Sequence, residues 1–418
     1  MRKKGTTPQP TQVRSRSALG GRLASCLSGF PLYSPLLLLV LGLYVLPIGG
    51  MLARAFDNSE FTRCTSRTIA ALDGWNGQGL PPDAAFRSLA EDMKAAVKER
   101  KQSVIADRLN REVVGYYSVI ARTAREIDRV GLVDARHDLI AIEPAWGSVS
   151  IWQAITRASS PISSFNLLAA LDLRRSPIDG SVISAPAEQA IYVALYIKTI
   201  WISVWVTIAC VALGYPVAAF IASLGARGHQ LALFAVLMPL WTSILVRSAA
   251  WIILLQKNGI VNQLLQGAGI TGEPLELIFN RLGTYIVTIH VMLPFLILPT
   301  LGVMRSTPAE YMRAALSLGA PPWRAFVSVY LPLTLPGVLA GATLVFVLSL
   351  GNYLTPALVG GSRDQMISYF IYFYMNQQLN WGMAASLCLV LILFIFLIGM
   401  VALATRRFVP ILNTSTKL

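Results

Sequence analysis

Charge is scarce in this chain. Of its 418 residues only 13% are charged, against 55% hydrophobic. A soluble enzyme of this length carries far more charge, so that class is excluded. Cysteine is scarce too: Cys26, Cys64, Cys210 and Cys388 form no C-x-x-C pair. The three histidines, His137, His229 and His290, stand apart from each other and from the cysteines. A disulfide framework and a zinc site are therefore not indicated. No G-x-x-x-x-G-K-[ST] occurs, so the chain has no P-loop for a nucleotide. G-x-S-x-G and H-E-x-x-H are missing as well, which leaves an enzyme reading without residues to carry it. The formal net charge of +14 invites a nucleic-acid reading, but its location argues otherwise. Residues 55–190 hold 16 Lys/Arg and 17 Asp/Glu, so the excess lies in the N-terminal tail, the short loops and the C-terminus. That is how membrane proteins distribute cations, not how a nucleic-acid face is built.

What the chain has in abundance is long apolar runs. They predict an all-α polytopic membrane protein with six spans. Residues 1–30 read as a disordered basic tail. Residues 31–54 hold the first span, at about 32–53. The motif Ala53-Arg54-Ala55 resembles a signal-peptide cleavage site, but the long tail and long apolar run favour a retained helix. Residues 55–190 form a polar, mostly helical insert. Within it Phe86, Leu89, Met93, Ala96 and Val97 make an amphipathic stripe that needs a partner, and 146–173 reads as a half-buried connection back to the membrane. Residues 191–405 hold five further spans, near 198–224, 231–255, 282–304, 335–359 and 382–404, and 406–418 is a tail. Leu275, Leu277, Ile278 and Phe279 read as an interfacial piece. Counting cations places both termini in the cytoplasm and the insert outside.

One stretch between two spans is different. Residues 305–337 are mixed in polarity and heavily punctuated. Thr307, Pro308 and Glu310 have the spacing of a capping box with proline at the first helical position. The helix can run to Leu318, where Gly319 offers a left-handed stop and Pro321-Pro322 forbid continuation. A second short helix fits from Trp323 to about Tyr330, closed by Leu331-Pro332. On local physics this is either a plain interhelical connection or a docking element.

Arg313-Ala314-Ala315-x-x-x-Gly319, then Val329-x-Leu331-Pro332, resembles the Glu-Ala-Ala-x-x-x-Gly-x(9)-Ile-x-Leu-Pro loop of ABC importer permeases. Met238-Pro239-Leu240-Trp241-Thr242-Ser243, Leu245-Val246-Arg247, Ala250-Trp251, Asn258-Gly259 and Asn262 resemble the third span of spermidine/putrescine-type permeases. Gly214-Tyr215-Pro216-Val217-Ala218 resembles their second span. Thr355-Pro356, Leu358 and Gly360-Gly361 resemble the end of their fifth. The likeness covers about 190–404 and the first span. It implies a permease subunit in the bacterial inner membrane, paired with an identical or different permease. Two cytoplasmic ATPases, which hold ATP and Mg, would bind below, an external solute-binding protein above, and lipid around it. The chain itself would need no cofactor. The resemblance makes 305–333 the ATPase-coupling loop, with Glu310, Arg313, Ala314, Ala315, Gly319, Val329, Leu331 and Pro332 its marked residues. Arg313 stands where the family has an acid. Glu310, on the same helical face, can pair with it or stand in for the missing acid. Such an inversion implies a dedicated ATPase, or coupling carried mainly by the second permease. The insert is longer than in polyamine-type permeases; it either packs on the outer face or meets the binding protein.

Within the spans, Trp241, Arg247, Trp251, Asn352 and Tyr353 are candidate pathway residues. Arg247 would lie ~24 Å up a continuous third span. It either snorkels to the interface or lines the route, stacked on Trp241 or Trp251 or bonded to carbonyls. His290 reads as an interhelical hydrogen bonder. No Asp or Glu falls in the spans from the second onward, which weighs against a polycation cargo, although a polyamine is what the resemblance implies. A secondary transporter and a membrane sensor with an external helical domain are the competing classes. The first needs inverted repeats, the second a cytoplasmic signalling domain.

Overall fold

The computed structural model describes residues 34–131, 134–176 and 181–406. The basic tail 1–30 and nearly all of the tail 406–418 lie outside the described residues, as do all the terminal cations used to orient the chain except Arg406. The chain divides into two units, 1–53 and 54–418. The first holds one apolar helix, α1 (Ser34–Ala53), which contains a π-helical stretch at Leu41–Val45. It has no acidic or basic residue and is long enough to cross a membrane.

The second unit begins with the insert. Its helices are α2 (Ser59–Cys64), α3 (Ser66–Ala71), α4 (Asp83–Lys98), α5 (Gln102–Glu112), α6 (Tyr116–Glu126), α7 (Ala135–Ile142), α8 (Val149–Ala158) and α9 (Phe165–Ala170). The stripe on α4 finds its partner inside the insert: Phe86, Leu89 and Met93 are wholly buried with Ile105, Leu109, Ile120 and Leu139. Each such side chain contributes about 1.5–3 kcal/mol of burial. The first part of the stretch from Trp146, through Ala158, is not a half-buried connection, although 159–171 is mostly half-buried or exposed. Trp146 and Trp152 are fully buried at the centre of this core, and Trp152 packs on Phe86 at 4.5 Å between ring centroids. Their indole N–H groups are satisfied by Thr123 Oγ1 at 2.8 Å and the Trp146 carbonyl at 3.0 Å. Only the assembled helices provide those acceptors, so sequence pattern alone could not show the two tryptophans as core.

The insert leads back through a hairpin, β1 (Leu173–Arg175) paired antiparallel with β2 (Val182–Ser184). Asp172, with φ of 57°, then caps the next span from a distance. Its carboxylate accepts from the N–H groups of Tyr192 at 2.9 Å and Val193 at 2.7 Å. An acid on two free N–H groups at a helix start also suits the helix dipole.

The spans that follow are α10 (Tyr192–Ser223), α14 (Arg281–Ser306), α16 (Pro322–Gly351) and α19 (Trp381–Arg406), with a broken arm of α11 (Ala226–Leu237), α12 (Ile244–Leu255) and α13 (Ile260–Gly267). Helices α10, α14 and α16 form the centre. They approach closely at glycines, as membrane helices must when apolar burial alone gives no drive. A Cβ on Gly214 would meet Leu296 at 2.6 Å, and one on Gly341 would meet the Leu296 carbonyl at 2.9 Å. Among the described residues six segments are long and apolar enough to cross a membrane. The chain is thus an all-α polytopic protein, as its apolar runs predict.

Two spans differ from expectation, and one further helix appears. The third span is not continuous over 231–255: it breaks at a 3₁₀ turn, Met238–Trp241, followed by Thr242-Ser243. Pro239 removes a backbone donor there. The fifth span does not run to Val359. It ends at Gly351, and a separate α17 (Leu354–Val359) follows Asn352-Tyr353. A further helix, α18 (Ile367–Asn376), packs on α19 and was not apparent in the sequence.

Candidate functional site: the interhelical loop and the broken spans

Helix α15 (Ala309–Ser317) lies between α14 and α16. The expected capping box does not form. Thr307 Oγ1 donates back to the Val303 carbonyl at 2.9 Å, closing α14, and Pro308 takes the cap position with no side-chain bond. The preceding helix ends so close that its open carbonyl captures the hydroxyl first. The C-terminus is as expected. Gly319 has φ of 84°, its N–H reaches Leu316 O at 3.0 Å, and Ala320 N reaches Ala315 O at 3.2 Å. This is a Schellman stop.

Beyond Pro321 the expected separate short helix is absent. Pro322 begins a rod that runs unbroken to Gly351, with a π turn at Phe326–Tyr330. Pro332 therefore does not close a helix. The wider turn before it accommodates the proline ring and its missing N–H. Val329 sits in the π turn, and Leu331 and Pro332 resume the α-helix. Tyr215 ties this segment to α10, stacking edge-on to Phe326 at 6.2 Å and sharing a 3.1 Å hydroxyl bond with Thr334.

Glu310 and Arg313 pair at 2.6 Å. Glu310 is held below the usual carboxylate range by its own backbone N–H and by the Arg313 guanidinium. No side chain of α15 is buried, Ala314 and Ala315 included. Tyr311, Leu316, Leu318 and Trp323 leave large apolar surface open, Leu318 at 89% exposure. A short amphipathic helix of nine residues with an open apolar edge is suited to a groove on another protein.

The other candidates cluster at the two breaks. Arg247 spans the first: its guanidinium donates to the carbonyls of Pro239 and Thr242 and to Thr242 Oγ1. Of the partners considered for it, backbone carbonyls are the ones it takes. Because α11 and α12 are separate, its height along a straight helix has no meaning here. Trp241 turns away and packs on Phe234 at 5.2 Å. Trp251 donates to His290 Nδ1 at 3.2 Å, joining α12 to α14. At the second break, Asn352 is buried with Nδ2 unpartnered among the described residues, while its Oδ1 accepts from Thr355 N at 3.4 Å. Tyr353 stacks on Tyr372 of α18 at 4.7 Å and 14° between planes. Asn352 and Tyr353 thus lie in a junction between helices, not within a span.

Sequence reasoning missed two features. Asn262 stitches the far end of the arm, bonding both the N–H and the carbonyl of Leu275 at 2.9 Å. That bond also fixes the segment read as interfacial, and Leu277 is buried. Arg281 pairs with Asp364 at 3.1 Å beside the Gly360-Gly361 turn. Both partners were visible as isolated polar residues, but nothing in sequence joins positions so far apart.

A family model described as binding-protein-dependent transport system inner membrane component matches residues 190–409. The spermidine/putrescine transport system permease protein PotB of Escherichia coli K12 is 28% identical over 230 residues, covering 54% of this chain and 82% of that protein. The inner membrane ABC transporter permease protein YdcU of the same organism is 34% identical over 218 residues, covering 49% and 68%. The molybdenum transport system permease protein ModB of Mycobacterium bovis is 29% identical over 222 residues, covering 52% and 81%. With the spans and the loop between them, these matches identify the chain as a member of the binding-protein-dependent transport system inner membrane component family, a multi-pass permease subunit of an ABC importer in the bacterial inner membrane.

Proposed function

We propose that this permease forms half of a solute pathway and couples to a separate ATPase through residues 305–333. The carrying observation is the exposed α15, stopped at Gly319 and joined by the short Ala320-Pro321 link to a rod that ends at the Asn352-Tyr353 break. A push on α15 moves one end of that rod, and the other end abuts the second break. The orientation by cations puts α15 in the cytoplasm with the ATPases and the insert outside with a solute-binding protein. A second permease completes the pathway. Family membership decides against the secondary transporter and the sensor.

The proposed cargo is a polyamine or a similar small organic solute. The name of PotB supports it, as does the Tyr353–Tyr372 stack, whose faces can attract a cation. The name of ModB shows that relatives of similar identity serve another cargo, so a binding protein and not the spans is expected to set the choice. Purification of the intact complex tests the assembly: an ATPase and a second six-span protein should accompany the chain. A chain that purifies alone and moves solute down an ion gradient would overturn the reading. Uptake of labelled putrescine by cells with and without the gene tests the cargo.

A further inference from the structure

A groove of about 430 Å³ lies where the insert meets the starts of α10 and α19. Its walls come from α5, α9, the hairpin, the lead-in to α10 and the end of α18. Two arginines, Arg111 and Arg174, and two acids, Asp107 and Glu188, line it. Arg111 spends one N–H on Asn166 Oδ1 at 2.8 Å. Arg174 Nε is buried and has no hydrogen-bond partner among the described residues. Asp107 and Glu188 join no ion pair or hydrogen bond there. A buried, charged nitrogen without an acceptor is costly, and natural structures seldom tolerate one without a ligand or solvent to meet it.

The charges of these four side chains cancel. A plain anion would gain from the arginines and be repelled by the acids, and a plain cation would meet the reverse. A ligand carrying both signs gains from all four. The position narrows the class. Tyr192 opens the span of α10, Met383 lies at the start of α19, and the Tyr192 and Tyr374 hydroxyls bond at 2.5 Å on the wall. Tyrosines at span ends mark the membrane–water boundary. On the same groove Val114 and Ile191 are 60% and 40% exposed, an apolar rim at that level.

We propose that this groove binds a ligand bearing a phosphate and an ammonium group, the chemistry of a phosphatidylethanolamine head group. Arg174 and Arg111 take the phosphate, and Asp107 and Glu188 take the ammonium. Its volume is within the usual range for small-ligand sites. A lipid bound there would lie against both the insert and the spans, joining them.

The test uses the intact transporter in nanodiscs of defined lipid, followed by mild detergent extraction and native mass spectrometry. Phosphatidylethanolamine should remain bound about tenfold more than phosphatidylglycerol, which has the phosphate but lacks the ammonium. D107N with E188Q should bring the two lipids to equal retention. R174Q should lower both. Asp107 and Glu188 are both exposed residues, so their double variant stays informative if R174Q fails to assemble. Soluble phosphoethanolamine separates the sources: displacement of the lipid by it supports a head-group site. Its binding without retained lipid supports the same chemistry supplied by a soluble aminophosphate. Equal retention of the two lipids by the unaltered protein with no phosphoethanolamine binding, or retention unmoved by the acid variants, would overturn the proposal.

Discussion

Arg313 Nη2 lies 2.6 Å from Glu310 Oε1 on α15, and both side chains are 70% exposed. The Arg313 cation is thus met by an acid one turn earlier. An exposed i,i+3 pair, screened by solvent, contributes little to folding. Its worth lies in what it presents to a partner.

Glu310→Gln and Arg313→Gln should therefore leave the melting temperature of the complex within about 1–2 °C while altering ATPase stimulation by loaded binding protein. Arg313→Glu places two acids side by side and should weaken coupling to the protein's own ATPase further. Because Glu310 is held below the ordinary carboxylate range, its contribution is complete above the unfolded value and is lost only as pH falls through the lowered one. Coupling should not change through this pair between about pH 6 and 8. Equal ATPase stimulation in all three variants would remove the pair from the interface.

Gly319 has φ of 84° and no atom within 4 Å of an added Cβ. Substitution there meets only backbone strain, about 1–2 kcal/mol for an ordinary residue. Asn, which tolerates that region, should retain more coupling than Val, and Pro should abolish it with normal membrane insertion. Uptake in cells at matched expression measures the order, and identical uptake by Val and Gly would show the stop to be dispensable.

Gly341 faces the opposite constraint. An added Cβ would lie 2.9 Å from the Leu296 carbonyl, which is backbone and cannot yield cheaply. Gly341→Val should force α14 and α16 apart and lower stability by about 1–3 kcal/mol. Thermal melting in detergent should fall by several degrees. Gly302→Val, with nothing within 4 Å, is the control and should melt normally.

Arg247 holds the first break by bonds to Pro239 O and Thr242. Arg247→Met strips those acceptors and should cost about 1–3 kcal/mol. Lys lacks the planar fork and should fall between Met and Arg. A staple predicts that melting and uptake decline together. Uptake lost at an unchanged melt would instead mark Arg247 as a pathway residue.

Much of the fold was legible because hydropathy is a property of single segments. A run of apolar residues must find lipid or a core whatever surrounds it, so six spans follow from the chain alone. The glycine stop was legible for the same reason: Gly319 acts on its own turn. The capping box was misread because Thr307 had two acceptors to choose from, and the nearer end of α14 decided. Pro332 was misread as a terminator because a π turn in the preceding segment is a tertiary accommodation.

The sequence by itself determined the class, the number of spans and the presence of the interhelical loop. Tertiary structure alone decided where the third and fifth spans break, which carbonyls Arg247 holds, and that Trp146 and Trp152 are the core of the insert. It also brought Asp172 to the start of α10 and set Arg174, Glu188 and Asp107 on the wall of one groove. Local propensity and hydropathy act along the chain within a turn or a segment. Hydrogen-bond partners and close helix approaches are pairings between distant residues, and they exist only once the helices have packed.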